Sequence, residues 1–346
     1  MSAVGTSAAD GAVQAGDGVQ AIIDRGGEPL RELMARTERH LERVTAEAGA
    51  PLAAHANATV AAGGKRLRPL LVVLAAESAG GPAAAPDGEE RLVRAAVAVE
   101  LVHSATLVHD DVIDGARLRR GRPTVAAAAG RRAAVATGDL LFSRAFAELA
   151  RNDDAEQLQA LSQASSALAE GELLQREDAY AAEVSVERYL RRCELKTAAL
   201  FEAACRLGAL TAARGSASLA DALGGFARQI GLAFQLLDDV LDVSGPVERT
   251  GKTRGTDLLD GTVTLPFILA RERDPALADV RLDRLGGARE AEELCERIAA
   301  TGALEQARER ALALVAKAKA ALPSILPPGR SELLELVADA VVERYR

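Results

Sequence analysis

Apolar positions recur along this chain at helical spacing. Leu30, Leu33, Met34, Leu41 and Val44 follow the i, i+3, i+4 rule, with arginines and glutamates filling the opposite face. The apolar runs at 101–108 and 231–237 predict helices buried on most sides. No segment alternates as a half-buried strand does. Breaks fall at Gly80-Gly81-Pro82 through Asp87-Gly88, and near Gly245-Pro246, Gly286-Gly287 and Pro327-Pro328. The pattern predicts an all-α fold.

Composition supports it. The 346 residues are 49% hydrophobic with 12 prolines, enough to bury a sizeable core. Aromatics are only 3% and tryptophan is absent, which favours alanine- and leucine-rich helices over strands. No stretch has the composition of an interdomain linker, so residues 21–346 read as a single domain. Residues 1–20, rich in alanine and glycine and without the cationic start and apolar segment of a signal peptide, read as a disordered tail. No uninterrupted apolar stretch suggests a transmembrane span. Cys193, Cys205 and Cys295 are odd in number and widely spaced, which suits reduced core residues in a cytoplasmic protein rather than a disulfide or zinc scaffold.

Two copies of one acidic pattern carry the chemistry: Asp110-Asp111-Val112-Ile113-Asp114 and Asp238-Asp239-Val240-Leu241-Asp242, each directly after an apolar run. On a helix Asp110 and Asp114 share a face, as do Asp238 and Asp242, whereas Asp111 and Asp239 are rotated off that line into a flanking role. A lone acidic pentad is as readily a solvated helix end. Two copies behind apolar helices call for a cation, and clustered hard oxygen ligands suit Mg²⁺ shared with substrate phosphates.

The chain carries a net charge of −8, yet its cationic clusters lie beside the acidic ones. Gly63-Gly64-Lys65-Arg66-Leu67-Arg68-Pro69 predicts a glycine turn entering a helix at Pro69, where cations and the helix N-terminus would hold a phosphate. Arg117-Leu118-Arg119-Arg120-Gly121-Arg122 follows the first pentad and Gly251-Lys252 the second. Guanidinium groups grip phosphate oxygens in pairs. His103 lies two turns before Asp110, though a histidine there is commonly a satisfied core group. His40 and His55 read as surface or packing residues, and Glu170, Glu172 and Gln175 suit a helix facing the same cavity.

With these motifs in this order, together with Gly138-Asp139, Glu170-Gly171-Glu172, Lys196-Thr197, Phe234-Gln235 and Gly255-Thr256-Asp257-Leu258, the chain resembles the trans-isoprenyl diphosphate synthase (polyprenyl synthetase) family from about Glu28 onward. The resemblance implies an all-α isoprenoid synthase-type bundle around a central cavity, usually a homodimer, with the two acidic motifs facing each other. It implies Mg²⁺, three ions per site with diphosphate, on Asp110, Asp111, Asp114, Asp238, Asp239 and Asp242. Isopentenyl diphosphate would lie on Lys65, Arg68, His103 and Arg120, and the allylic prenyl diphosphate on Arg119, Lys196 and Lys252. Thr197 and Gln235 would face the allylic cation with their oxygen dipoles. No nucleic-acid partner is implied, and membrane contact would be transient, for product release.

Upstream of Asp110 the growing hydrocarbon would meet Ala105 and Thr106, then Val102 and Val99, none large enough to block it, so a product of about C30 to C50 is expected. One departure is Thr262, where many members carry lysine, and weaker allylic binding is expected from it. The alternatives are a farnesyl or geranylgeranyl synthase plugged by a facing helix, the catalytic subunit of a heteromeric synthase, a terpene cyclase and a non-catalytic subunit. The intact second motif argues against the last two.

Overall fold

The computed structural model describes residues 10–47, 49–82, 86–181, 183–212, 216–245 and 254–343, with side chains from residue 18 onward. The stripe at residues 30–44 forms α1 (Asp10–Ala46), which buries Leu30, Leu33, Met34, Leu41 and Val44. α1 kinks at Gly27, whose φ of 74° lies in the left-handed region, two residues before Pro29. The helix takes in residues 10–20, part of the segment that composition assigns to a tail. Val19 and Ile22 explain this, because they pack on the core and anchor that end. Residues 1–9 lie outside the described residues.

The chain continues through α2 (Leu52–Ala61), α3 (Leu67–Ser78), α4 (Gly88–Ile113), a minimal hairpin of β1 (Leu118–Arg119) and β2 (Arg122–Pro123), α5 (Val125–Ala129), α6 (Arg131–Ala150), α7 (Ala155–Asp178) and α8 (Val186–Cys193). A π-helix at Glu194–Ala198 then leads into α9 (Ala199–Thr211) and α10 (Ala217–Ser244). After the second acidic motif come α11 (Thr256–Leu259), α12 (Leu265–Arg273), α13 (Pro275–Ala278), α14 (Ala288–Ala300), α15 (Ala303–Ile325) and α16 (Glu332–Glu343). The breaks read at Gly80-Gly81-Pro82, Gly286-Gly287 and Pro327-Pro328 fall between these helices, while residues 83–85 and Pro246 lie outside the described residues. Side chains of Thr124, Asp154, Ser185 and Ser216 accept from the first free N–H groups of α5, α7, α8 and α10.

α9 is the hub, packed against α3, α4, α7 and α10, while α6 lies along α4 and α15 along α10. By length and composition α4 would span a membrane, a property its scattered charged residues mask in the sequence, but 72% of its most apolar window is buried inside the bundle. It also buries Glu100, paired with Arg66 at 2.8 Å. It is a core helix, buried through its middle from Ala95 to Val102 and open on one face toward its C-terminal end.

The three cysteines are free and buried. Of the surface or packing places expected for His40, it takes the packing one: it is buried, its Nε2 2.7 Å from Glu148 Oε2, and it joins α1 to α6.

Candidate active site

Both acidic motifs form the C-terminal turns of long helices, Asp110–Asp114 on α4 and Asp238–Asp242 on α10. The helix dipole is negative at that end, which adds to the repulsion among the carboxylates. Cations answer it. Arg119, on the hairpin, places Nε and Nη2 each 2.8 Å from Asp111 Oδ1. Arg176, from α7, pairs with Asp114. Burial pushes Asp110 up to about 6, against the pull of Lys196 and with the repulsion of Glu172 and Asp114, so its charge favours a cationic partner.

The second motif is held from its buried side. Tyr189 O–H donates to Asp239 Oδ2 at 2.6 Å and Gln235 Nε2 donates to Oδ1 at 2.8 Å. Burial, with Asp257 adding repulsion, raises Asp239 to about 7 despite these two donors. Both oxygens of Asp239 thus accept hydrogen bonds inside the helix packing, in the flanking place that helix geometry gives it. Asp242 is fixed through its Oδ2, which accepts from Asp257 N–H at 3.2 Å.

The two halves join at the π-helix, where the extra residue in the turn presents Lys196 and Thr197 side by side. Lys196 pairs with Glu172 of α7, and Glu172 also accepts from Arg176 at 3.3 Å. Thr197 Oγ1 donates to Gln235 Oε1 at 2.7 Å. Partners therefore run from Asp114 through Arg176, Glu172 and Lys196, cross one peptide bond to Thr197, and continue through Gln235 and Asp239 to Tyr189. Gly171 permits the close approach of α7, since a Cβ there would lie 2.7 Å from Lys196 N.

A separate cationic group surrounds His103. Burial, then Arg68, Arg120, Arg119 and Arg66 in turn, hold the imidazole well below its usual range. Burial also lowers Arg68 to about 10, its Nε has no hydrogen-bond partner, and its guanidinium stacks 4.9 Å from the Phe201 ring centroid. Arg120 reaches over the loop, with Nη1 3.1 Å from where a Cβ on Gly64 would stand. Lys65 is half-buried in that loop. Arg66 is structural, paired with Glu38 and Glu100. The helix behind the loop starts at Leu67, two residues before the expected Pro69, with Arg66 at the N-cap position in a left-handed conformation (φ 48°) and its side chain turned to Glu38 and Glu100.

Other expectations divide. Along α4, His103, Thr106, Leu107 and Asp110 keep exposed surface at i, i+3, i+4, i+7 spacing, so Thr106 shares the open face with the motif. Ala105, Val102 and Val99 have no exposed surface, whereas Thr106, expected beside Ala105 at the floor, keeps some. Glu170 is exposed, Gln175 half-buried, and His109 sits against Gly138 and Phe142. Thr262 N–H donates to Asp257 O at 2.8 Å. Lys252 lies outside the described residues. Sequence reasoning passed over Arg176, whose signal was its position four residues after Glu172, and Tyr189, which had none.

Among the described residues no three His, Cys, Asp or Glu side chains converge as a ready-made metal site. The donors fit an ion that takes one or two carboxylates and completes its shell with phosphate oxygens and water.

This helical bundle with paired acidic motifs defines a prenyltransferase of the diphosphate synthase class. The polyprenyl synthetase family profile matches residues 50–301, and the chain belongs to that family. It is 42% identical over 241 residues (70% of this chain, 73% of the relative) to heptaprenyl diphosphate synthase component 2 of Geobacillus stearothermophilus. It is 36% identical over 294 residues (82% and 87%) to geranylgeranyl diphosphate synthase of Methanosarcina mazei. A crystal structure of polyprenyl synthase from Caulobacter crescentus, complexed with calcium and isoprenyl diphosphate, superposes with a TM-score of 0.86 at 36% identity, covering 95% of this chain and 98% of that one.

Proposed function

We propose that this enzyme condenses isopentenyl diphosphate head-to-tail with an allylic diphosphate to make an all-trans polyprenyl diphosphate of about C30 to C50. The observation that carries the reading is the group of guanidinium charges around His103, with the buried, unpartnered Nε of Arg68 at its edge. Like charges gathered in a low-dielectric site are stabilised by a polyvalent anion.

In this reading Arg68, Arg120, Lys65 and His103 hold isopentenyl diphosphate. Arg119, Lys196 and Lys252 hold the allylic diphosphate above the two motifs. Asp110, Asp114, Asp238 and Asp242, with Asp111 flanking, hold Mg²⁺ shared with that diphosphate, and Asp239 positions Gln235. When bound, Mg²⁺ supplies the charge that draws electrons toward the leaving diphosphate. The Thr197–Gln235 bond leaves lone pairs on both oxygens to face the positive allylic carbon. Released diphosphate takes the final proton.

Thr106 on the open face, with no bulky side chain of its own, supports the longer product. One observation favours a farnesyl or geranylgeranyl product: α6 packs along α4 and carries half-buried Phe142 and Phe146, aromatics bulky enough to cap the chain. The proposed assembly is a cytoplasmic homodimer; the 42% identical relative is named as one component of its synthase, and that name supports a heteromeric assembly as the second reading. The test is incorporation of labelled isopentenyl diphosphate into extractable lipid. Incorporation that needs both Mg²⁺ and an allylic primer is expected, and primer-independent or absent incorporation contradicts the reading.

A further inference from the structure

We propose that Arg176 is a diphosphate-binding residue of the allylic site, a role that rests on the prenyltransferase reading above. Glu172 holds two cations at once, Lys196 through Oε2 and Arg176 through Oε1, the latter at 3.3 Å. Both are delivered to the first acidic motif: Arg176 pairs with Asp114, and Lys196 acts on Asp110.

An arginine with a purely structural task is enclosed by its partners. Arg192 shows this, with its side chain 4% exposed between Asp178 and the Val263 carbonyl. The Arg176 side chain is 42% exposed and Asp114 39%, so the fork lies open to the site it borders. Its place along α7 points the same way. Four residues further on, past the end of the helix at Asp178, Tyr180 N–H donates to Gly261 O at 2.8 Å, so the chain leaving Arg176 runs to the loop carrying uncharged Thr262.

A carboxylate that serves a divalent ion holds a guanidinium less tightly, because the two cations repel. Arg176, still tethered by Glu172, then turns its free N–H groups to the diphosphate oxygens, for which a planar fork is suited. Glu172 is the positioning residue that keeps Arg176 and Lys196 in reach of the same leaving group.

The test is calorimetric titration of the full chain in Mg²⁺ with farnesyl thiolodiphosphate, an allylic analogue that resists ionisation, and separately with isopentenyl diphosphate. Arg176→Gln is expected to weaken thiolodiphosphate binding about tenfold and Arg176→Lys by less, with isopentenyl diphosphate affinity and thermal melting unchanged. Equal thiolodiphosphate affinity in wild type and Arg176→Gln overturns the assignment and leaves the prenyltransferase reading standing. Equal weakening toward both ligands marks a structural role and also overturns it. Failure of the wild-type chain to bind the thiolodiphosphate overturns the allylic-site reading and this inference together.

Discussion

Thr197 Oγ1 donates to Gln235 Oε1 at 2.7 Å, and this bond, with the Arg228–Glu194 pair at 2.9 Å, ties the π-helix to the helix of the second acidic motif. It also fixes the amide: Nε2 must face Asp239, whose other oxygen is taken by Tyr189. Gln235→Leu removes both contacts and leaves the buried Asp239 short of a donor. The expected result is a stability loss of about 1–3 kcal/mol together with a fall in kcat. Urea unfolding and steady-state kinetics on the same sample check it, and an unchanged kcat contradicts the role given to the amide.

Asp110 and Asp238 are expected to behave differently from a packing residue. Asp110 is raised to about 6 chiefly by burial, so replacing its carboxylate relieves a cost of the fold. Asp110→Ala and Asp238→Ala should each lower turnover by about 10²-fold or more while leaving the melting temperature nearly unchanged. A folded variant that retains activity removes that aspartate from the site.

The approach of α7 to the π-helix gives a prediction remote from any charge. A Cβ on Gly171 would stand 2.7 Å from Lys196 N and 2.9 Å from Leu195 Cβ, and neither is the flexible end of a side chain. Gly171→Ala must push the π-helix away, at about 1–3 kcal/mol of stability and with reduced kcat, as Lys196 and Thr197 shift together. Wild-type stability and turnover in this variant would show that the segment yields freely.

Acid sensitivity should trace in part to Glu148. Burial pushes its carboxyl up, but the hydrogen bond from His40 and the charges of His40, Arg151 and Arg94 outweigh it, so the group sits below the ordinary glutamate range. A depressed carboxylate contributes stability above its unfolded pKa and loses it as pH falls through the folded value. From pH 7 to about pH 3, wild type should therefore lose more unfolding free energy than Glu148→Gln. Parallel profiles would contradict the pairing.

What the sequence disclosed was local. The claws on α4 and α10 and the cationic loop before α3 depend on spacings within one or two helical turns, which periodicity reports directly. What it hid depends on packing between distant segments. Tyr189 meets Asp239 and Arg176 meets Asp114 only because α8 and α7 fold against the motif helices. Ala105 and Thr106 are neighbours in the chain, yet only Thr106 keeps exposed surface, because which face of α4 is covered depends on the helices packed against it. The buried His40–Glu148 pair was hidden because nothing near His40 in the chain announces a partner on α6.

The central claim is tested most directly by incubating the purified chain alone with Mg²⁺, isopentenyl diphosphate and farnesyl or geranylgeranyl diphosphate, then sizing the extracted prenyl products. The account predicts a ladder of intermediates that ends beyond about C25, made without any second polypeptide. Failure to elongate either primer, in a chain shown to be folded, would contradict it.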